Sequence, residues 1–194
     1  MSCDKRDEIR HGRVVPIQVV RDAQREHVTD IAARLVADEG VSALAFRLVA
    51  DAAGSSTAIV STYFSDKRDL LASTLGAAAT RTSVRFEAAT GGGLQKSLEA
   101  WLPLDEERLR DWRVIIAFWG VAIADPELAQ VQDGHVSRAR GRVTALLADH
   151  DDVLAGQVVA LTLGIAVQAV FAPTGPTART QRALLADGLA RLLG

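Results

Sequence analysis

Cysteine is nearly missing from this chain: among 194 residues there is one, Cys3. That excludes a disulfide scaffold and any cysteine-based zinc site within a single chain, and it suits a reducing cytoplasm. Proline is scarce, at 5 residues, and aromatic residues make up 5% of the chain. Neither charge sign is in excess, with 22 Lys and Arg against 24 Asp and Glu, a net of −2. Such a surface as a whole is no polyanion binder, while a local nucleic-acid-reading element stays open. The start, Met-Ser-Cys-Asp-Lys-Arg-Asp-Glu, has no apolar core behind it, so no secretory signal is expected. Also missing are G-x-S-x-G, H-E-x-x-H, a phosphate-binding loop, G-x-G-x-x-G and paired cysteines, so the chain reads as a non-enzyme without cofactor or metal. What is there is 48% apolar and 24% charged, the composition of a globular protein long enough for one large or two small domains.

Apolar residues recur at helical spacing, and no period-2 stretch of useful length occurs, which predicts an all-α fold. Val28, Ile31, Ala32, Leu35 and Val36 form an i, i+3, i+4, i+7, i+8 stripe, with Asp30, Arg34, Asp38 and Glu39 facing away. A helix is expected from about Val20 to Asp38, closed by Gly40. Phe46, Val49, Ala50 and Ala53 mark a short second helix stopped by Gly54. Ser55 and Ser56 offer a cap for a third, with Ile59, Val60 and Phe64 expected on its core side. Asp66 begins a fourth helix, Asp69 is placed to return a capping-box bond, and Gly91-Gly92-Gly93 breaks it after Phe86. Beyond lie a short segment with Leu98, Trp101 and Leu102, a helix over Asp105–Ala124, one from Pro126 to about Asp149, and two over 153–171 and 177–193. The stretch Val114–Ile123 is apolar on every side and predicts a buried helix.

A short helix, a glycine turn and a second short helix between Ala45 and Phe64 match a helix-turn-helix, whose second helix fits a DNA major groove. The segment Ile31-Ala-Ala-Arg-Leu-Val-Ala-Asp-Glu-Gly40 resembles the first helix of TetR-family transcriptional regulators. Phe46-Arg-Leu-Val-Ala-Asp-Ala-Ala-Gly54-Ser-Ser56 resembles their second helix and turn. Val60 to Phe64 with Lys67, Leu70 and Leu71 resembles the recognition helix and the next helix start. Downstream, Leu102–Arg113, Ala117-Phe-Trp119, Asp125-Pro-Glu-Leu128 and Gln181–Arg191 are similar to the C-terminal domain of the BetI-type branch. The chain then divides into an arm over 1–19, a DNA-binding domain over 20–75 and a ligand-binding and dimerisation domain over 76–194.

The resemblance implies a homodimeric, ligand-responsive repressor on a palindromic operator in double-stranded DNA. Tyr63 and Lys67 stand where the family contacts phosphate, and Arg47 is placed to reach the backbone or a base edge. Ser56, Thr57, Ser61 and Thr62 lie where bases are read. Two departures stand out: Ser61 replaces a usual tyrosine, and Ala45 replaces the Ser or Thr that caps the second helix. The third helix carries no Lys or Arg, and residues 1–70 hold ten Lys and Arg against eleven Asp and Glu. The arm adds only Lys5, Arg6, Arg10 and Arg13 against Asp4, Asp7 and Glu8. Few phosphate contacts and a shallow salt slope are therefore expected.

From Val153 to Ala172 no residue is charged, a run long enough to cross a bilayer. Gln157, Thr162, Gln168, Gly156 and Gly164 interrupt it, and its flanks give weak anchoring. In the resembled family the last two helices build a dimeric four-helix bundle, and a dimer helix without membrane insertion is the favoured reading. The alternatives are a membrane-associated helical protein and a ligand-binding helical module without DNA binding. Phe86, Trp101, Trp112, Phe118 and Trp119 are candidates to line an effector cavity, with core packing as the plainer role for each. BetI-type proteins respond to choline, which an aromatic cage suits, but the branch serves varied effectors and the ligand stays open. His150-Asp151-Asp152 reads as a solvated turn rather than a metal site, and His135 as a partly exposed histidine.

Overall fold

The protein is described by a computed structural model covering residues 17–147, 151–171 and 177–194. The basic arm residues Lys5, Arg6, Arg10 and Arg13, together with Cys3, Asp149, His150 and Ala172, lie outside the described residues. Nine α-helices and no strand occur among the described residues: α1 (Ile17–Glu39), α2 (Phe46–Ala52), α3 (Thr57–Tyr63), α4 (Lys67–Ala89), α5 (Gly93–Glu99), α6 (Glu106–Ala122), α7 (Pro126–Thr144), α8 (Asp152–Phe171) and α9 (Ala178–Leu193).

Local chemistry sets most of these limits. Gly40, at φ 80°, ends α1 while its N–H donates to Val36 O at 3.0 Å. Gly54, at φ 59°, makes the turn between α2 and α3, a conformation that a side chain would strain. Ser56 then caps α3 by accepting from Ile59 N at 3.3 Å, a contact typically worth about 1 kcal/mol. Ala45 precedes α2 in extended backbone with no side-chain cap, as the sequence implies. Asp66 caps α4 through Asp69 N at 2.8 Å, whereas Asp69 accepts from Ser65 N at 3.0 Å rather than closing the expected reciprocal box. Asp105 and Asp125 cap α6 and α7, and Pro126 occupies the first turn of α7, where its missing N–H costs nothing. Asp151 accepts from Val153 N and Leu154 N at 2.8 and 3.1 Å, and Asp152 accepts from Thr144 Oγ1 at 3.0 Å.

Two hydrophobic cores share the fold. The first joins α1, α2, α3, the first half of α4, and Val114, Phe118 and Ala122 of α6. The second joins Phe86, Leu98, Trp101, Trp112, Val143 and the inner faces of α8 and α9. Helix α6 runs between them, so its apolar surround has a physical cause. That surround stops short of its end: Ile123 is 88% exposed, because the chain leaves the packed region there to turn into α7. Helix α4 contributes to both cores, so the expected boundary at 75/76 falls inside one continuous helix.

One charged cluster ties α1, α4 and α6 together. Arg81 donates to Asp111 Oδ1 from Nε and Nη2 at 2.9 and 2.7 Å, and to Asp30 Oδ1 from Nη1 at 3.0 Å. Arg85 donates to Asp111 Oδ2 at 2.6 Å. Burial works against the charge on Arg81, but hydrogen bonding and attraction to Asp111 and then Asp30 outweigh it, so its guanidinium is held above its ordinary range. Asp111 is 2% exposed, and two cations on one buried carboxylate make this junction geometrically selective.

Candidate nucleic-acid interface and ligand cavity

Helix α3 rests on α2 and the first core through Val60 and Phe64, which are 0% and 1% exposed. Ile59, expected on that core side, is 45% exposed and stands on the outer face instead. With seven residues α3 makes barely two turns, and one anchor per turn leaves Ile59 unpacked. The exposed face therefore presents Thr57, Ala58, Ile59, Ser61 and Thr62. It combines hydroxyl and methyl groups without an ionic side chain. Ser61 and Thr62 donate to Thr57 O and Ala58 O, both at 2.9 Å, which leaves their lone pairs outward. Ser56 is exposed but engaged as the cap.

The last residue of α3 and the neighbouring helices supply the phenol and the cations that its exposed face lacks. Tyr63 is half-buried against the first core, and its hydroxyl donates to Gln24 Oε1 of α1. Lys67 is exposed in the first turn of α4, where backbone N–H groups also point outward. Arg47 is 87% exposed on α2 and 4.0 Å from Asp51. The side chains expected to meet DNA thus lie around one short exposed helix.

Arg25 and Arg68 have roles that the sequence does not disclose. Arg25 of α1 donates to Ser73 Oγ at 2.7 Å and lies 5.0 Å from the centre of the Phe64 ring. Arg68 of α4 joins Glu127 at 2.7 Å and Asp125 at 3.0 Å, at the start of α7. Its charge is reinforced first by the Glu127 hydrogen bond and then by both carboxylates.

A cavity of about 100 Å³ lies between α4, α6, α7 and α8. Trp101, Trp112 and Trp119 line it, with Ile115, Leu75 and Val159. Trp112 Nε1 donates to Trp101 O at 2.6 Å, and Trp112 meets Trp119 edge-on at 6.3 Å, so the ring positions are fixed by one another. Two expected lining residues are placed elsewhere. Phe86 stacks behind Trp101 at 4.4 Å, and Phe118 turns into the first core at 0% exposure. Spacing along α6 puts Phe118 and Trp119 100° apart, so one helix can serve two cores.

The amide, imidazole and guanidinium groups of the lining come from α7: Gln132, His135, Arg138 and Arg142. Their spacing of three, three and four places them on one helical face, a signal present in the sequence but masked by the neighbouring Arg140. His135 Nδ1 lies 3.0 Å from Arg138 Nη2. Arginine can only donate, so Nδ1 accepts and the ring proton sits on Nε2. Burial, then the charges of Arg138 and Arg142, holds His135 below its ordinary pKa.

Residues 28–74 match the model for bacterial regulatory proteins of the tetR family, and residues 92–194 match the C-terminal domain of BetI-type transcriptional repressors. The chain belongs to the TetR family of transcriptional regulators. Within this family the α2–turn–α3 unit is the helix-turn-helix, and α5 to α9 fall in the BetI-type C-terminal domain. Solved structures share the fold. A transcriptional regulator from Rhodococcus sp. Rha1 superposes with a TM-score of 0.80 at 24% identity, covering 87% of this chain and 95% of that one. A protein from Saccharomonospora viridis in complex with choline gives 0.77 at 19% identity, covering 87% and 96%. The multidrug binding protein EbrR complexed with malachite green gives 0.66 at 24% identity, covering 85% and 97%. A comparison with curated proteins gives no match.

Proposed function

We propose that this regulator is a cytoplasmic homodimeric repressor whose two α3 helices read successive major grooves of a palindromic operator, and whose C-terminal cavity takes a small-molecule effector. The observation that carries the reading is the exposed α3 face, bare of acid, ringed by Arg47, Tyr63 and Lys67. Thr57, Ser61 and Thr62 act as base readers, Arg47, Tyr63 and Lys67 as phosphate contacts, and Ser56 as the cap that fixes the start of α3. An arm over 1–19, a DNA-binding unit over 20–75 and a ligand and dimer unit over 76–194 are the working parts.

Dimerisation through α8 and α9 is supported by what α8 leaves outside. Val153, Gln157, Ala160, Gly164, Gln168 and Phe171 are exposed or partly so along one stripe, and none is charged. Leu184 of α9 is 44% exposed. Helix α8 is long and apolar enough to cross a membrane, and a third of its most apolar window is buried against its own subunit. Small residues and two glutamines in the outer stripe favour a partner helix over lipid chains.

Selection of bound fragments from a random DNA pool tests the reading. Enrichment of a palindrome with half-sites about 34–36 Å apart is expected for a dimer. No enrichment at low salt overturns DNA reading. Gly164→Arg places a charge in the α8 stripe and is expected to turn the dimer into a monomer in light scattering, with loss of operator binding. A wild-type chain that is monomeric at all concentrations overturns the dimer.

A further inference from the structure

The cavity combines an aromatic body with a cationic mouth. Three tryptophans line it, no Asp or Glu does, and Arg138, Arg142 and neutral His135 do. An outer pocket of about 350 Å³ shares Ala79, Ser83, His135, Arg138 and Arg142 with it, so these residues stand where the inner space meets the outer one. Glu87 lines only the outer pocket and accepts from Arg142 Nε at 3.3 Å. Arg138 has no carboxylate partner among the described residues, and its one hydrogen bond is to His135. A cationic ligand entering here meets two guanidiniums, and the one carboxylate at the mouth, Glu87, is already paired with Arg142.

The inner wall carries a second signal. The indole N–H of Trp119 and Oε1 of Gln132 are both buried without a hydrogen-bond partner, and both residues line the cavity. One group donates and the other accepts, and a hydroxyl carries the matching acceptor and donor. Buried polar groups of this kind are normally paired, so each marks a place for a ligand atom or water. The inner cavity is small, about 100 Å³, which favours a single ring over a fused ring system.

We propose that the cavity binds a small hydroxylated aromatic carboxylate, with its ring among Trp101, Trp112 and Trp119, its carboxylate at Arg138 and Arg142, and its hydroxyl between Trp119 and Gln132. The proposal rests on the ligand-responsive reading above and gives it a chemical class. A carboxylate takes paired N–H donors from guanidinium, which explains two arginines at the mouth in place of an acid. Neutral His135 accepts from Arg138 and holds that guanidinium at the shared wall. Glu87 holds Arg142 through one N–H and leaves its others for the ligand.

All three tryptophans of the chain line this cavity, so their fluorescence reports on it directly. The test titrates the full-length protein, without DNA, with the isomeric hydroxybenzoates, benzoate, the matching hydroxybenzamides and hydroxybenzyl-trimethylammonium. At least one hydroxybenzoate is expected to quench saturably, about tenfold or more tighter than its amide and its ammonium analogue. The Arg138→Gln/Arg142→Gln variant is expected to lose about tenfold in acid binding with the amide unchanged. Gln132→Leu is expected to erase the preference for hydroxybenzoate over benzoate. Arg138 is exposed and has no carboxylate partner among the described residues, so Arg138→Gln alone supplies the test if the double variant melts early. Equal or tighter binding of the ammonium or amide, unchanged acid binding in Arg138→Gln, or no saturation by any acid at millimolar concentration overturns the proposal. Acid binding that leaves operator affinity unchanged overturns the ligand-responsive reading and leaves the carboxylate site standing.

Discussion

The outer face of α3 and the interior side of α4 stand at opposite extremes of charge. The first, which would meet a polyanion, exposes hydroxyl, methyl and sec-butyl groups and no ionic side chain. The second gathers Arg81 and Arg85 around buried Asp111, while Leu75, Ala79, Thr82 and Ser83 of the same helix line the cavity with Arg138 and Arg142 of α7. Cations are therefore concentrated where they select a geometry rather than where they would attract phosphate without regard to sequence. On the proposed reading, α3 discriminates through shape and hydroxyl contacts, and docking falls to Arg47, Tyr63 and Lys67. For the interior it makes position matter more than net charge, since a guanidinium beside a buried carboxylate is costly to leave alone.

The largest effect that can break this contrast is at the junction. Asp111→Ala removes the buried carboxylate that Arg81 and Arg85 share, leaving them only the more exposed Asp30 and Glu107, and is expected to lower unfolding stability by about 3 kcal/mol, measured by urea denaturation. A loss below about 1 kcal/mol would mean that the cluster behaves like exposed ion pairs. Next comes Tyr63→Phe with Lys67→Ala, which keeps the half-buried ring in place. Operator affinity should fall about tenfold or more on every sequence, and the salt slope by about 1 per half-site. A preference that changes while overall affinity holds would make these residues readers and α3 the docking surface. Thr62→Ala should do the converse, shifting base preference by about 1 kcal/mol in a binding-site selection with little change in salt dependence.

The smallest effect concerns His135. Its folded pKa lies below the ordinary value, so the unfolded chain takes up the proton first. Stability is fully present above about pH 6.5 and is lost as pH falls through that value towards the lower folded one. Protonation also removes the acceptor that holds Arg138. Thermal melts from neutral to mildly acidic pH should show a dependence that His135→Gln reduces, and identical pH profiles for the two proteins would remove His135 from this role.

Helix limits were legible because their causes are local. Ser56, Asp66, Asp125, Pro126, Gly40 and Gly54 act on their own or adjacent turns, and each stands where its chemistry predicts. Which neighbour a face meets is not local. Periodicity marks both sides of α6 as apolar, but only packing assigns Phe118 to one core and Trp119 to the cavity. The same limit hid the Arg81–Arg85–Asp111 cluster, whose partners are 26 to 30 residues apart in sequence. Ile59 and Ile123 read as core residues by composition, yet short helices and helix ends offer fewer surfaces to pack against. The cavity tryptophans were visible as residues, and the α7 polar face that completes their site only as an unassigned spacing.

Helix α4 has a mechanical consequence. Its 23 residues form a rod about 34 Å long at about 1.5 Å per residue, beginning beside the exposed helix and walling the cavity at Leu75, Ala79 and Thr82. Ala79 lies about 15 Å from the far end at Ala89, and Lys67 about 33 Å from it. About a pivot at Ala89, an outward displacement of about 1 Å at Ala79 carries Lys67 about 2 Å. If α4 turns as a rod about Ala89 it is a lever of unequal arms, and a widening of about 1 Å at the cavity wall becomes a shift of about 2 Å, more than a covalent bond length, at the opposite end.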